Sequence, residues 1–154
     1  MASKISPPPE FIGRALNFTT GRMNALCQHL LDPYGLSLPQ WVILSCLWRD
    51  GEITVGALAE LVGTGLPATS RIVDRMADRG LVARQKHKTD GRAVVVTLTE
   101  EGHELRHLSD FHRRINAELF KGFLPEEQEL AFSLISRMQA NAEAALEALQ
   151  EQPE

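Results

Sequence analysis

The hydrophobic period of this chain changes between residues 81 and 98. Before Gly80, apolar residues recur at the spacing of helices. Leu81-Val82-Ala83-Arg84-Gln85-Lys86 and Ala93-Val94-Val95-Val96-Thr97-Leu98 are instead β-rich runs. The polar stretch His87-Lys88-Thr89-Asp90-Gly91-Arg92 lies between them and carries an Asp-Gly turn signal. One β-hairpin is therefore set inside an otherwise helical sequence. The expected fold is mainly α with a small hairpin, of the α+β class.

The helices are marked by their ends. Pro7-Pro8-Pro9 cannot lie inside a helix, so the first begins near Glu10 and stops at Asp32-Pro33-Tyr34-Gly35. Ser37 is a cap for a second helix, with Pro39 in its first turn and Gln40 three residues after the cap. Asp50-Gly51 closes it, and Ile53 is a short extended link. Thr54 caps a third helix over Val55–Val62. Gly63-Thr64-Gly65 is a tight turn. A fourth helix runs from about Leu66 to Asp78, with Ile72, Val73 and Met76 inside and Arg79-Gly80 as its stop. Thr99 caps a fifth, with Leu105, Leu108, Phe111, Ile115 and Leu119 as its stripe and Gly122 as its break. Pro125 opens a sixth, striped by Leu130, Leu134, Ile135, Met138, Ala142, Ala145 and Leu146.

Charge separates this chain from an ordinary acidic protein. It has 16 Lys+Arg against 20 Asp+Glu, a formal net of −4. Between residues 66 and 92, however, stand seven basic and three acidic residues, a local net of +4 that leaves −8 for the rest. A basic patch on an acidic protein is the footprint of one face that meets phosphates. Two cysteines are too few for a disulfide framework. The apolar run Trp41–Trp48 is far too short to cross a bilayer, and residues 1–10 do not read as a signal peptide. A soluble, cytoplasmic protein is expected.

The basic segment coincides with two short helices, a glycine turn and a hairpin. That order defines a winged helix-turn-helix. In such a unit the second helix enters the major groove, and its N-terminal residues meet base edges. Here those are Pro67, Ala68, Thr69, Ser70 and Arg71, small or polar before the arginine. Arg75 follows one turn later on the same face, toward the DNA backbone. The wing supplies Arg84, Lys86, Lys88 and Arg92, the last suited to a narrow minor groove. Asp90 is expected to pair with an arginine and stiffen the wing.

The runs LSLPQWVILSCLW and ITVGALAELVGTGLPATSRIVDRMADRGLVARQKHKTDGRAVVVTLTEEG resemble the MarR (multiple antibiotic resistance regulator) family. The most telling pieces are Gly80-Leu81-Val82-x-Arg84, Asp90-x-Arg92 and Leu98-Thr99-x-x-Gly102. The resemblance covers about residues 36–105. It implies a homodimer whose first, fifth and sixth helices interlock, bound to double-stranded DNA at a pseudo-palindromic operator. It also implies Arg92 at the wing tip with Asp90 as its structural partner. The domains then run as a disordered tail (1–9), dimerisation helix 1 (10–35), the DNA-binding winged helix (36–99; recognition helix 66–79, wing 81–98), dimerisation helices 5 and 6 (100–150), and a tail (151–154). Most such proteins repress, and many release DNA on binding a small molecule.

That resemblance also raises sensor chemistries. A small aromatic or anionic effector between the first, second and fifth helices would meet Arg22, Trp41, Ser45, His107 and Phe111. Cys27, beside Gln28 and His29, is the redox candidate, while Cys46 sits in an apolar run. His103 and His107 are four apart, as zinc ligands can be, but the family's other ligands have no counterpart near Val42 or on the first helix. No metal or cofactor is assigned. No Ser-His-Asp context, phosphate loop or Cys-x-x-Cys pair is present, so an enzyme is not expected. The alternatives are a redox- or metal-responsive sensor on the same scaffold, and a winged-helix protein-interaction module without specific DNA binding.

Overall fold

Local caps set the register of the first half of the chain. In a computed structural model that describes residues 11–87 and 93–150, α1 spans Ile12–Leu31 and passes through a 3₁₀ turn at Asp32–Tyr34. Ser37 and Gln40 then form a reciprocal capping box. Gln40 Oε1 accepts from the Ser37 N–H at 2.9 Å, and Ser37 Oγ accepts from the Gln40 N–H at 3.4 Å. This opens α2 (Leu38–Asp50), followed by a short strand β1 (Glu52–Thr54). The Thr54 hydroxyl accepts from Ala57 N–H at 3.2 Å and starts α3 (Val55–Val62). Gly63 takes a left-handed φ of 70°, which turns the chain into α4 (Leu66–Asp78).

The hairpin lies where the period change places it. Strand β2 (Val82–Lys86) pairs antiparallel with β3 (Val94–Leu98), with Val82 opposite Leu98 and Arg84 opposite Val96. The link at Ile53 does more than expected. Strand β1 pairs with the other edge of β3, Ile53 opposite Val96, and makes β3 the centre of a three-stranded sheet ordered β1-β3-β2. Leu31, Leu36, Ile43, Leu44, Leu47, Leu58, Val73, Met76 and Val96 form a fully buried centre contributed by α1, α2, α3, α4 and the sheet.

The fifth predicted helix is not continuous. It divides into α5 (Glu100–Glu104), a 3₁₀ segment (Leu105–Leu108) and α6 (Phe111–Leu119). The spacing is compatible with the break. Leu105, Leu108 and Phe111 are three apart, so a three-residue turn keeps all of them on one face. Leu108 and Phe111 are buried there. Two tryptophans of α2 fix this geometry. Trp41 Nε1 donates to the Leu108 carbonyl and Trp48 Nε1 to the Gly102 carbonyl, both at 2.9 Å. Thr99 joins the same network: its hydroxyl donates to the Gly80 carbonyl and accepts from Gly102 N–H.

The chain forms two units, one ending at Ile115 and one beginning at Asn116. In the second, Gly122 turns the backbone at a φ of 87°, and the Glu127 carboxylate accepts from Leu124 N–H at 2.7 Å. Phe120 packs on Phe123 and Phe132, with ring centroids 5.6 and 5.3 Å apart. Helix α7 (Pro125–Gln150) follows for 26 residues, none of them buried.

Among the described glycines, Gly102 is the one with no room for a side chain. A Cβ there would collide with the Leu81 carbonyl oxygen and touch Leu98 Cδ2. Gly102→Ala is expected to lower unfolding free energy by about 1–3 kcal/mol, read as a drop in the urea midpoint at unchanged slope. An unchanged midpoint would contradict this packing.

Candidate nucleic-acid interface

Helix α4 divides cleanly into two faces. Thr69, Ile72, Val73 and Met76 point inward and are buried. Leu66, Pro67, Ala68, Arg71, Asp74 and Arg75 are exposed on the other side. The inward spacing of 0, 3, 4 and 7 residues is one helical stripe.

Thr69 is the correction on this helix. Expected at a base or phosphate, it is 0% exposed. Its hydroxyl lies 2.8 Å from that of Thr64 and bonds the Thr64 carbonyl at 3.3 Å. It fixes the turn between α3 and α4 and has no access to DNA. Its place in the inner stripe was the signal that could have revealed this. Pro67, Ala68 and Ser70 remain on or beside the outer face. The Arg71 guanidinium lies back along the helix, with Nε donating to the Pro67 carbonyl at 3.4 Å. Neither Arg71 nor Arg75 forms an ion pair with any described acid.

Arg84 is the second correction. Instead of standing free for phosphate, it forms an ion pair with Asp74. That pair ties β2 to the outer face of α4. Asp74 and Arg84 are ten positions apart on different elements, so local spacing gave no hint of it. Lys86 is exposed at the end of β2. Lys88, Asp90 and Arg92 lie outside the described residues.

Arg79 holds the other end of α4. Its Nη1 donates to the Gly35 carbonyl and its Nη2 reaches the Tyr34 carbonyl at 3.4 Å. The sequence offered only its charge and its place at the helix stop. The bonds join the end of α4 to the turn before α2, where Arg75 and Arg79 border a groove of about 460 Å³ with Gln28, Asp32, Ser37 and Gln40.

The expected effector residues are engaged within the protein. Trp41 stacks on buried Phe111 at 5.0 Å between centroids, and its N–H goes to Leu108. The Ser45 hydroxyl donates to the Val42 carbonyl at 2.7 Å. Exposed His107 packs on Tyr34 at 5.5 Å, with Nδ1 3.0 Å from the Glu104 carbonyl. Arg22 is exposed on α1, its guanidinium 5.0 Å above the Phe18 ring. These contacts occupy the polar atoms of Trp41 and Ser45 within the protein. A groove of about 590 Å³ instead lies beside α4, lined in part by Thr54, Val55, Leu66, Pro67, Ser70 and Arg84.

Cys27 also departs from expectation. It is 4% exposed rather than partly open, and burial pushes its thiol pKa up. Gln28 bonds Asp32 and the Leu36 carbonyl, at 2.8 and 3.0 Å. Cys46 is buried and raised for the same reason, desolvation. A raised pKa keeps both as thiols at neutral pH, and the thiolate is the reactive form. As for His103 and His107, the α-helix ends at Glu104 between them, so their four-residue spacing is no longer one α-helical turn. Among the described residues no group of three His, Cys, Asp or Glu could hold a metal.

This is a winged helix: helix-turn-helix α3–α4, followed by a hairpin that packs back on α4. Residues 36–94 match the family model of the MarR family. The fold is similar to a probable transcriptional regulator from Pseudomonas aeruginosa, at 29% identity and a TM-score of 0.74 over 84% of this chain and 97% of that one. It is similar to a MarR transcriptional regulator from Methanosarcina mazei Go1, at 25% identity and a TM-score of 0.77 over 88% and 99%. A mutant of Escherichia coli MarR, complexed with operator DNA, shares the fold at 23% identity, with a TM-score of 0.76 over 82% and 92%. Over residues 36–94 the chain is thus similar to the MarR family, and its fold is that of solved MarR transcriptional regulators. Members of that family regulate transcription rather than catalyse reactions.

The thiol environment gives a direct test. The native protein at pH 7 is expected to react with a thiol-specific disulfide reagent at least tenfold more slowly than urea-unfolded protein. Equal rates in the two states would contradict the buried placement of Cys27 and Cys46.

Proposed function

We propose that this protein is a homodimeric, sequence-specific DNA-binding regulator, a ligand-responsive repressor acting on a pseudo-palindromic operator. The observation that carries this reading is the outer face of α4. It presents Leu66, Pro67 and Ala68 at the helix start and, behind them, two arginines without acidic partners among the described residues. Such a helix end can approach base edges while its cations meet phosphates or guanine. Lys86 extends the same charge along the wing, and Lys88 and Arg92 carry it onward in sequence.

Dimerisation is supported by α7. At 1.5 Å per residue its 26 residues extend about 39 Å. Leu130, Leu134, Ile135, Met138, Leu146 and Leu149 are all exposed along it. An apolar stripe of that length needs a partner, and a second copy supplies a matching one. Phe11, Ile12, Leu16 and Phe18 of α1 are exposed as well. Two copies would place two recognition helices on successive turns of one DNA face, about 10 bp apart.

The ligand-responsive part of the reading is supported by the groove beside α4. A small aromatic or anionic effector seated against Leu66, Pro67 and Ser70 would compete with DNA for the same residues, raising the Kd for operator. A regulator of transcription would act in the cytoplasm, where the DNA is. Among the described residues no helix is long and apolar enough to cross a membrane.

Fluorescence anisotropy tests the DNA reading, using the duplex upstream of the protein's own gene and a scrambled duplex at about 50 and 200 mM salt. Selective binding that survives the higher salt is expected. Arg71→Ala should weaken it about tenfold or more, and Arg75→Ala should reduce the salt slope by about one. Equal binding to both duplexes, erased at the higher salt, would contradict specific recognition of that site. Sedimentation tests the dimer. The wild type is expected at twice 17.1 kDa and Ile135→Glu at 17.1 kDa. A monomeric wild type would remove the two-fold operator from the proposal.

A further inference from the structure

The first turn of α4 is apolar where helix starts are ordinarily polar. Its N-cap is Gly65, which gives no side-chain hydrogen bond, and no acid stands in the first turn. Leu66 opens the helix at 55% exposure, followed by exposed Pro67 and Ala68. The core does not need Leu66, because the buried stripe of α4 begins only at Thr69. A leucine held in water at the tip of a helix is therefore unexplained by folding.

Its surroundings limit what it can meet. Leu66 and Ser70 are one turn apart and line the same groove beside α4. Arg71 and Arg75 stand on the exposed side of the same helix without acidic partners among the described residues. An apolar helix start with two cations farther along the exposed side of the same helix suits a polyanion that carries an apolar group at the depth a helix tip reaches. The major groove of DNA is such a surface. It admits an α-helix, and its one apolar group is the C5-methyl of thymine. An apolar protein partner would leave the two arginines without counter-charge.

We propose that Leu66, which sequence reasoning left out of the recognition residues, reads thymine methyl groups in the operator half-site. The assignment rests on the DNA-binding reading and adds a specificity determinant to it. Pro67 and Ala68 broaden the apolar contact, and neither Leu66 nor Pro67 carries a charge that binds phosphate. Leu66 therefore contributes discrimination between bases and leaves the salt dependence to the arginines.

The experiment begins by enriching a duplex from a random library on the intact protein. Each thymine of the enriched duplex is then replaced by deoxyuridine, one position at a time, which removes only the methyl group. For the wild type, one or two positions per half-site should each weaken binding about fourfold, the worth of one buried methyl-sized group. Leu66→Ala should bind the thymine and uracil forms equally at those positions, with an unchanged salt slope and an unchanged urea midpoint. Wild-type binding indifferent to uracil everywhere would overturn the assignment, as would a Leu66→Ala variant that keeps the full uracil penalty. If no duplex is enriched over the starting library, the DNA-binding reading fails, and this assignment with it.

Discussion

Helix α4 is held at three points, and the surface it offers follows from how they fix its roll. Ile72, Val73 and Met76 are buried against the core. Thr69 ties its start to the turn through Thr64. Arg79 ties its end to the carbonyls of Tyr34 and Gly35. Rolling the helix by one residue, about 100°, would pull the apolar stripe from the core and break both anchors. The outer residues are thereby fixed by what the inner ones bury. The Asp74–Arg84 pair adds little free energy, since Asp74 is half exposed. Its role is directional: it joins the first wing strand to the helix beside it.

The two tryptophans of α2 do a comparable task on the other side. Their indole N–H groups take carbonyls of residues 102 and 108, neither of which lies in a long helix. Each bond satisfies a buried or half-buried donor that would otherwise be costly. Together with the close approach of Gly102 to Leu81, they dock the segment after the sheet onto α2. Strand β3, α5 and the 3₁₀ turn thus form one continuous lining from the wing to α6.

Local chemistry was legible in the sequence, and long-range pairing was not. The caps at Ser37, Thr54 and Thr99 act over three residues, so the residue types alone locate them. The hairpin was legible because its period differs from everything around it. The break at Leu105 was hidden because a spacing of three and four residues fits an α stripe until Trp41 and Trp48 are placed. Strand β1 is three residues long and pairs 45 positions away, Thr97 opposite Glu52, which no local pattern signals. On α4, Arg71 and Arg75 are exposed. Thr69 faces inward, and Arg84, though exposed, is paired with Asp74, because polar type and positive charge were taken as freedom to meet DNA. Leu66 was passed over for the opposite reason, an apolar residue being read as core.

The face proposed to meet DNA is open to direct mapping. Backbone amide chemical shifts of isotope-labelled protein would be followed as an enriched duplex is added. Large shifts should fall on Leu66–Arg71 and on the end of β2 near Lys86, with those amides of α2 that lie in the core unmoved. Shifts confined to other elements, with Leu66–Arg71 unchanged, would mean that α4 is not the recognition helix.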